Sequence, residues 1–119
     1  MAKVLVVDDA REVIDFVSGV LRSAGHEVAM DLDGADLEAR IASERPDIVL
    51  LDIVLPERNG FQILRTLRRS AATRSLPIVV ISSKTEATDI EWGMLQGATE
   101  YLTKPFTADS LLGLVARHS

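Results

Sequence analysis

The chain has 119 residues, with 13 Lys and Arg against 18 Asp and Glu for a formal charge of −5, and 47% of its residues are hydrophobic. That is one domain's length with enough apolar content for a core, which excludes a disordered tail, and the acidic balance argues against nucleic-acid binding by phosphate neutralisation. With no cysteine there is no disulfide or thiolate chemistry, and no run approaches the ~20 apolar residues of a membrane span.

Met1-Ala2-Lys3 leads straight into "VLVV" and then Asp8 and Asp9, too short an apolar run for a signal peptide, so a cytoplasmic protein is expected. Lys3–Val7 reads as the first strand. Val13, Phe16, Val17, Val20 and Leu21 recur at helical spacing, and Gly25 stops that helix. In Glu27–Met30, apolar and polar residues alternate as on an edge strand. Leu37 and Ile41 mark a weaker helix before Pro46. Asp47–Leu51 begins an apolar run, and Asp52 stands alone in its middle. Burying one charge costs several kcal/mol in rough terms, so that carboxylate needs a partner or an opening to solvent. Phe61, Leu64 and Leu67 mark a third helix, with Arg68 and Arg69 at the end its dipole favours. Pro77–Ile81 is a fourth strand. Ile90, Gly93, Met94 and Gly97 fall on one face of a fourth helix, Thr99–Thr103 is a fifth strand, and Thr107 caps a last helix carrying Leu111, Leu114 and Val115.

Strand and helix thus alternate five times, without linker, repeat or low-complexity segment. The expected fold class is α/β, a flavodoxin-like doubly wound sheet of five parallel strands in the order 2-1-3-4-5 with five helices, as a single domain over residues 1–119. Ligands of such sheets sit at the carboxyl ends of the strands.

That edge collects the chemistry. Asp8 and Asp9 follow the first strand, Asp52 ends the third, Ser82 and Ser83 end the fourth, and Lys104 follows the fifth. Three neighbouring carboxylates repel unless a cation intervenes, and oxygen ligands without His or Cys select a hard ion such as Mg²⁺. A carboxylate can also act as a nucleophile towards phosphorus. Lys104 and the ion would hold the transferred charge, and Ser82 could donate to it. Each element alone is a common turn or cap. Their joint placement is what carries weight.

"VLVVDD", "DIVLLDIVLPERNG", "PIVVISS" and "GATEYLTKPF", in that order, resemble the blocks of receiver domains of two-component response regulators, over essentially the whole chain. The resemblance implies that Asp52 is the phosphoacceptor. It implies a Mg²⁺ site (Mn²⁺ as a substitute) made by Asp9, Asp52 and the main-chain oxygen of Val54, with Asp8 acting through water. Ser82 resembles the switch hydroxyl, Tyr101 the switch aromatic and Lys104 the phosphate-contacting lysine, with a cis bond to Pro105. Gly60 is expected in a turn of positive φ. Implied partners are a histidine kinase or phosphotransfer protein and a downstream protein target reached through the Trp92–Tyr101 region and the last helix, with no nucleic acid and no membrane insertion. Such a domain is a switch, whose catalysis is confined to its own phosphorylation and dephosphorylation.

Three positions depart from the usual pattern: Leu55, where methionine is commoner, and Val54 and Lys84, which flank the expected path of the water that attacks the aspartyl-phosphate. The stretch from Ser82 to Phe106, with Trp92-Gly93-Met94 and Gln96-Gly97-Ala98, is similar to stand-alone receivers of chemotaxis-like systems that control type IV pili and twitching or gliding. Two alternatives remain beside the switch: a degenerate receiver acting as a phosphate-independent interaction module, and a receiver cut from a longer regulator with an output domain. A haloacid-dehalogenase-like phosphohydrolase would need a second aspartate where Val54 stands, and no glycine-rich turn follows the first strand for a dinucleotide.

Overall fold

A computed structural model describes all residues, 1–119. Strands β1 (Lys3–Val7), β2 (Glu27–Asp31), β3 (Ile48–Asp52), β4 (Ile78–Ser82) and β5 (Glu100–Thr103) alternate with helices α1 (Arg11–Ser23), α2 (Leu37–Glu44), α3 (Gly60–Arg69), α4 (Ala87–Leu95) and α5 (Ala108–His118). All strand pairs are parallel, and the sheet order is β2-β1-β3-β4-β5. The doubly wound expectation holds, with boundaries displaced by a residue or so. Asp52 and Ser82 are each the last residue of a strand, as expected, and Ser83 lies just beyond β4.

Every residue of β3 and β4 is buried, because successive side chains enter opposite layers. Leu5, Val7, Val49, Leu51, Ile78 and Val80 join Leu37, Ile41, Ile63, Leu64 and Leu67 beneath α2 and α3. Val4, Val6, Ile48, Leu50, Val79 and Ile81 join Ile14, Val17, Leu21, Leu111, Leu114 and Val115 beneath α1 and α5. The sheet is therefore clamped from both sides, and its carboxyl edge is a fixed platform.

Two helical faces differ from expectation. On α1 the buried stripe is Ile14, Val17, Ser18 and Leu21. Phe16 lies a helical step off that stripe, is 42% exposed and leans on Phe106 with ring centroids 6.0 Å apart. On α4 only Gly93 is buried. Met94 faces outward, and Gly97 lies beyond the helix at φ 108°, shaping the turn into β5. A Cβ on Gly93 would come within 2.9 Å of the Tyr101 ring, so α4 rests on β5 through a glycine and an aromatic edge.

Gly60 also differs in its reason. It is not among the residues of positive φ; instead a Cβ there would lie 2.2 Å from the Ile53 Cα. Glycine is needed because the start of α3 crosses the end of β3, where the Gly60 N–H donates to the Ile53 carbonyl at 3.0 Å.

Arg68 does more than complement a dipole. Its Nε donates to the Gly97 carbonyl at 2.7 Å, one Nη to the Leu76 carbonyl at 2.6 Å, and the other to Thr99 Oγ1 at 3.1 Å. One guanidinium thus ties the end of α3 to the segments that enter β4 and β5. Burial lowers its pKa from the ordinary value, a cost those charge-assisted bonds offset.

Candidate acidic site at the carboxyl edge of the sheet

Asp8, the residue after β1, is fully buried, and its Oδ1 accepts the Ala10 N–H at 2.9 Å. Its Oδ2 accepts from the Lys104 ammonium at 2.8 Å. Asp52 is 5% exposed; its Oδ1 accepts the Val54 N–H at 3.0 Å, while its Oδ2 lies 3.4 Å from Lys104 Nζ. Asp9 is exposed at the rim. One carboxylate oxygen from each of Asp8, Asp9 and Asp52 falls within 4.8 Å of the others. The lone carboxylate of the apolar run therefore has the counter-charge its position required, alongside two acidic neighbours that repel it.

Burial raises the pKa of Asp52 above the ordinary carboxylate value. The Val54 N–H opposes that rise, the Asp8 charge adds to it, and Lys104 opposes it. For Lys104, burial works against the charged form, but the hydrogen bond to Asp8 and the charges of Asp52 and Asp8 outweigh it and hold the ammonium above its ordinary range. Three carboxylates and one ammonium leave two negative charges, the complement of a divalent cation. The donors are all oxygen, which suits Mg²⁺. The residues present fit that ion.

Ser82 is buried at the end of β4, and its Oγ accepts the Lys84 N–H at 3.0 Å. Tyr101 is half-buried on β5, and its hydroxyl donates to the Lys84 carbonyl at 2.7 Å. Burial raises the Tyr101 pKa above the ordinary phenol value. Both residues thus grip the same loop between β4 and α4 from opposite ends. Sequence reasoning singled out Ser82 and Tyr101 but not the backbone of Lys84 that joins them, since a carbonyl leaves no mark in a sequence.

Val54 is 51% exposed over the site, and the peptide between Lys104 and Pro105 is cis. Arg58 was not singled out. It donates to the Gly34 carbonyl at 2.9 Å and pairs with Glu38, linking the loop after Asp52 to the start of α2. That pair holds the Glu38 carboxyl below its ordinary range, chiefly through the Arg58 hydrogen bond.

Comparison with known proteins identifies the family. Residues 4–116 match the model of the response regulator receiver domain. The chain is 41% identical over 112 residues to protein PilH of Pseudomonas aeruginosa, covering 94% of this chain and 93% of PilH. It is 34% identical over 116 residues to PilG of the same organism, covering 98% and 86%. The solved structure of the Vibrio cholerae chemotaxis protein CheY4 superposes with a TM-score of 0.91 at 33% identity, covering 100% of this chain and 99% of that one. No helix is long and apolar enough to cross a membrane. With the family match spanning nearly the whole chain, and relatives this similar over most of their own length, this chain belongs to the response regulator receiver domain family.

Proposed function

We propose that the chain is a phosphorylation-driven signalling switch in the cytoplasm, comprising a receiver over residues 1–119, and that Asp52 takes the phosphoryl group from a histidine kinase or phosphotransfer protein. The observation that carries this is the convergence of Asp8, Asp9 and Asp52 on Lys104, with Lys104 Nζ 2.8 Å from Asp8 and 3.4 Å from Asp52.

An Asp52 carboxylate oxygen attacks phosphorus while the P–N bond of the donor breaks, and the imidazole nitrogen keeps the electron pair. Lys104 stands within reach of the phosphoryl oxygens and balances the charge they bring. Asp8 holds Lys104 in place and accepts the Ala10 N–H with its other oxygen. Asp9, Asp52 and the Val54 carbonyl would hold Mg²⁺, with Asp8 acting through water; when bound, the ion supplies neutralisation of the phosphoryl oxygens. Switching off needs water at phosphorus: its oxygen bonds phosphorus as the bond to the Asp52 oxygen breaks, releasing inorganic phosphate and returning the carboxylate.

The new phosphoryl oxygens offer the buried Ser82 hydroxyl a charged acceptor. Its movement towards them removes the acceptor that holds the Lys84 N–H, and the loop held by the Tyr101 hydroxyl is then free to rearrange. The readout is the face formed by α4, β5 and α5, where a downstream protein target binds. The similarity to PilH and PilG supports a chemotaxis-like pathway.

The test compares amide NMR shifts before and after adding beryllofluoride with Mg²⁺. Shifts at residues 52–54 together with residues 92–101 are expected. Shifts confined to the loops around Asp52 would refute the switch.

A further inference from the structure

Helix α4 presents large apolar side chains to solvent: Trp92 is 49% exposed, Met94 46% and Leu95 76%. Trp92 does not stand free. Phe61 at the start of α3 meets it edge to face, with ring centroids 6.4 Å apart. Between the two helices the aromatic pair walls a notch of about 160 Å³ lined by Asn59, Phe61, Gln62, Arg65, Trp92 and Gln96.

The lining contains no acid. Arg65 brings a guanidinium, and Asn59, Gln62 and Gln96 bring amide N–H groups. Neither Arg65 nor Arg69, one turn further along α3, takes part in any ion pair of the molecule. Arg68 lies between them in sequence but turns inward to its backbone carbonyls. In a chain of net charge −5, an unpaired arginine beside an exposed tryptophan forms a local positive, part-apolar surface. The other flank of α4, lined by Ile90, Glu91, Met94 and Leu95, carries an acid instead. The two flanks select opposite chemistry.

We propose that the notch between α3 and α4 is a docking subsite for an acidic segment of a partner protein that also carries apolar side chains. A Glu or Asp side chain of that segment enters the notch towards Arg65, and its apolar neighbours cover Trp92. The volume suits one side chain rather than a cofactor. Charge complementarity decides the occupant, since a basic segment would be repelled by Arg65 and Arg69 and a purely apolar one would bury the guanidinium unpaired. The proposal deepens the reading of the Trp92–Tyr101 region as a partner face.

Trp92 is the only tryptophan, so its emission reports on the notch directly. The probes are the peptide Ac-Leu-Glu-Glu-Leu-Phe-NH2 and its twin with both glutamates replaced by glutamine, titrated into the full chain. No phosphodonor is present, so failure of docking is separable from failure of phosphoryl transfer. The glutamate peptide is expected to change Trp92 emission saturably and to bind about fivefold or more tightly than its twin. Arg65→Gln should remove that preference, and so should Gln62→Glu, which puts a competing carboxylate at the notch. Arg74→Gln, elsewhere on the surface, should retain it. Equal binding of the two peptides, no binding of either, or loss of preference in Arg74→Gln would overturn the proposal. Acetate alone binding as tightly as the peptide would also overturn it, by making this a small-anion site.

Discussion

Replacing Asp52 by asparagine is expected to stabilise the metal-free protein. The amide keeps the shape of the side chain and an oxygen for the Val54 N–H, but removes the charge. That charge faces carboxylate oxygens of Asp8 and Asp9 within 4.8 Å. Asp9 is exposed and screened, so at an effective dielectric of about 20 the Asp8 repulsion, about 3.5 kcal/mol, is offset by Lys104 at 3.4 Å. What stands against the ion is chiefly its burial, which raises the Asp52 pKa, and about 2 kcal/mol is expected from that cost. For 119 residues, 2 kcal/mol corresponds to about 8 °C in Tm.

The pH dependence follows from the raised pKa of Asp52. The folded protein releases this proton at higher pH than the unfolded chain does. Wild type therefore loses stability as pH rises from the unfolded carboxylate range through the folded pKa, while the variant does not lose that contribution. The gap opens across that window and is constant above it. Thermal melts in chelator at a series of pH values measure it, and millimolar Mg²⁺ should narrow it by binding folded wild type in preference. An equal or lower Tm for Asp52→Asn in chelator at neutral pH would refute the charge argument.

Gly60→Ala is expected to destabilise by about 3 kcal/mol, because the new Cβ would lie 2.2 Å from the Ile53 Cα; urea denaturation measures this, and a loss under half that size would show that α3 can shift freely. Arg68→Met should cost about 3 kcal/mol by leaving the Gly97 and Leu76 carbonyls without their donor, read from the same denaturation curves. Val54→Asn should speed loss of the aspartyl-phosphate several-fold, on the order of ~1 kcal/mol of barrier. Here a branched side chain, 51% exposed over the site, gives way to one that can hydrogen-bond water. Decay of labelled phosphate after donor removal checks it, and equal or slower decay would contradict it.

The fold was legible because periodicity and burial coincide here. β1, β3 and β4 read as uninterrupted apolar runs, since both sheet faces are covered; the edge strand β2 alternates in sequence but not in burial, with Met30 exposed and Asp31 buried. The acidic site was legible for a related reason. Once strands are placed, their last residues are neighbours by topology, so Asp8, Asp9, Asp52 and Lys104 meet without any spacing motif. Long-range backbone partners were not legible. Arg68 looked like a dipole match because its acceptors are carbonyls of Gly97 and Leu76, and every residue has a carbonyl. Gly60 was expected at positive φ, yet its need is contact with Ile53, which a sequence cannot display. The stripe on α4 failed because Ile90 and Met94 repeat at helical spacing while only Gly93 is buried. Exposed apolar residues on a helix imitate core periodicity.

The most direct test of phosphoryl acceptance at Asp52 is incubation with a small phosphodonor and Mg²⁺, followed by mass measurement and peptide mapping. One acid-labile phosphate per chain is expected, on Asp52, absent in Asp52→Asn and absent when chelator replaces Mg²⁺. Phosphate on any other residue, labelling of Asp52→Asn as readily as wild type, or no incorporation into wild type would contradict the assignment.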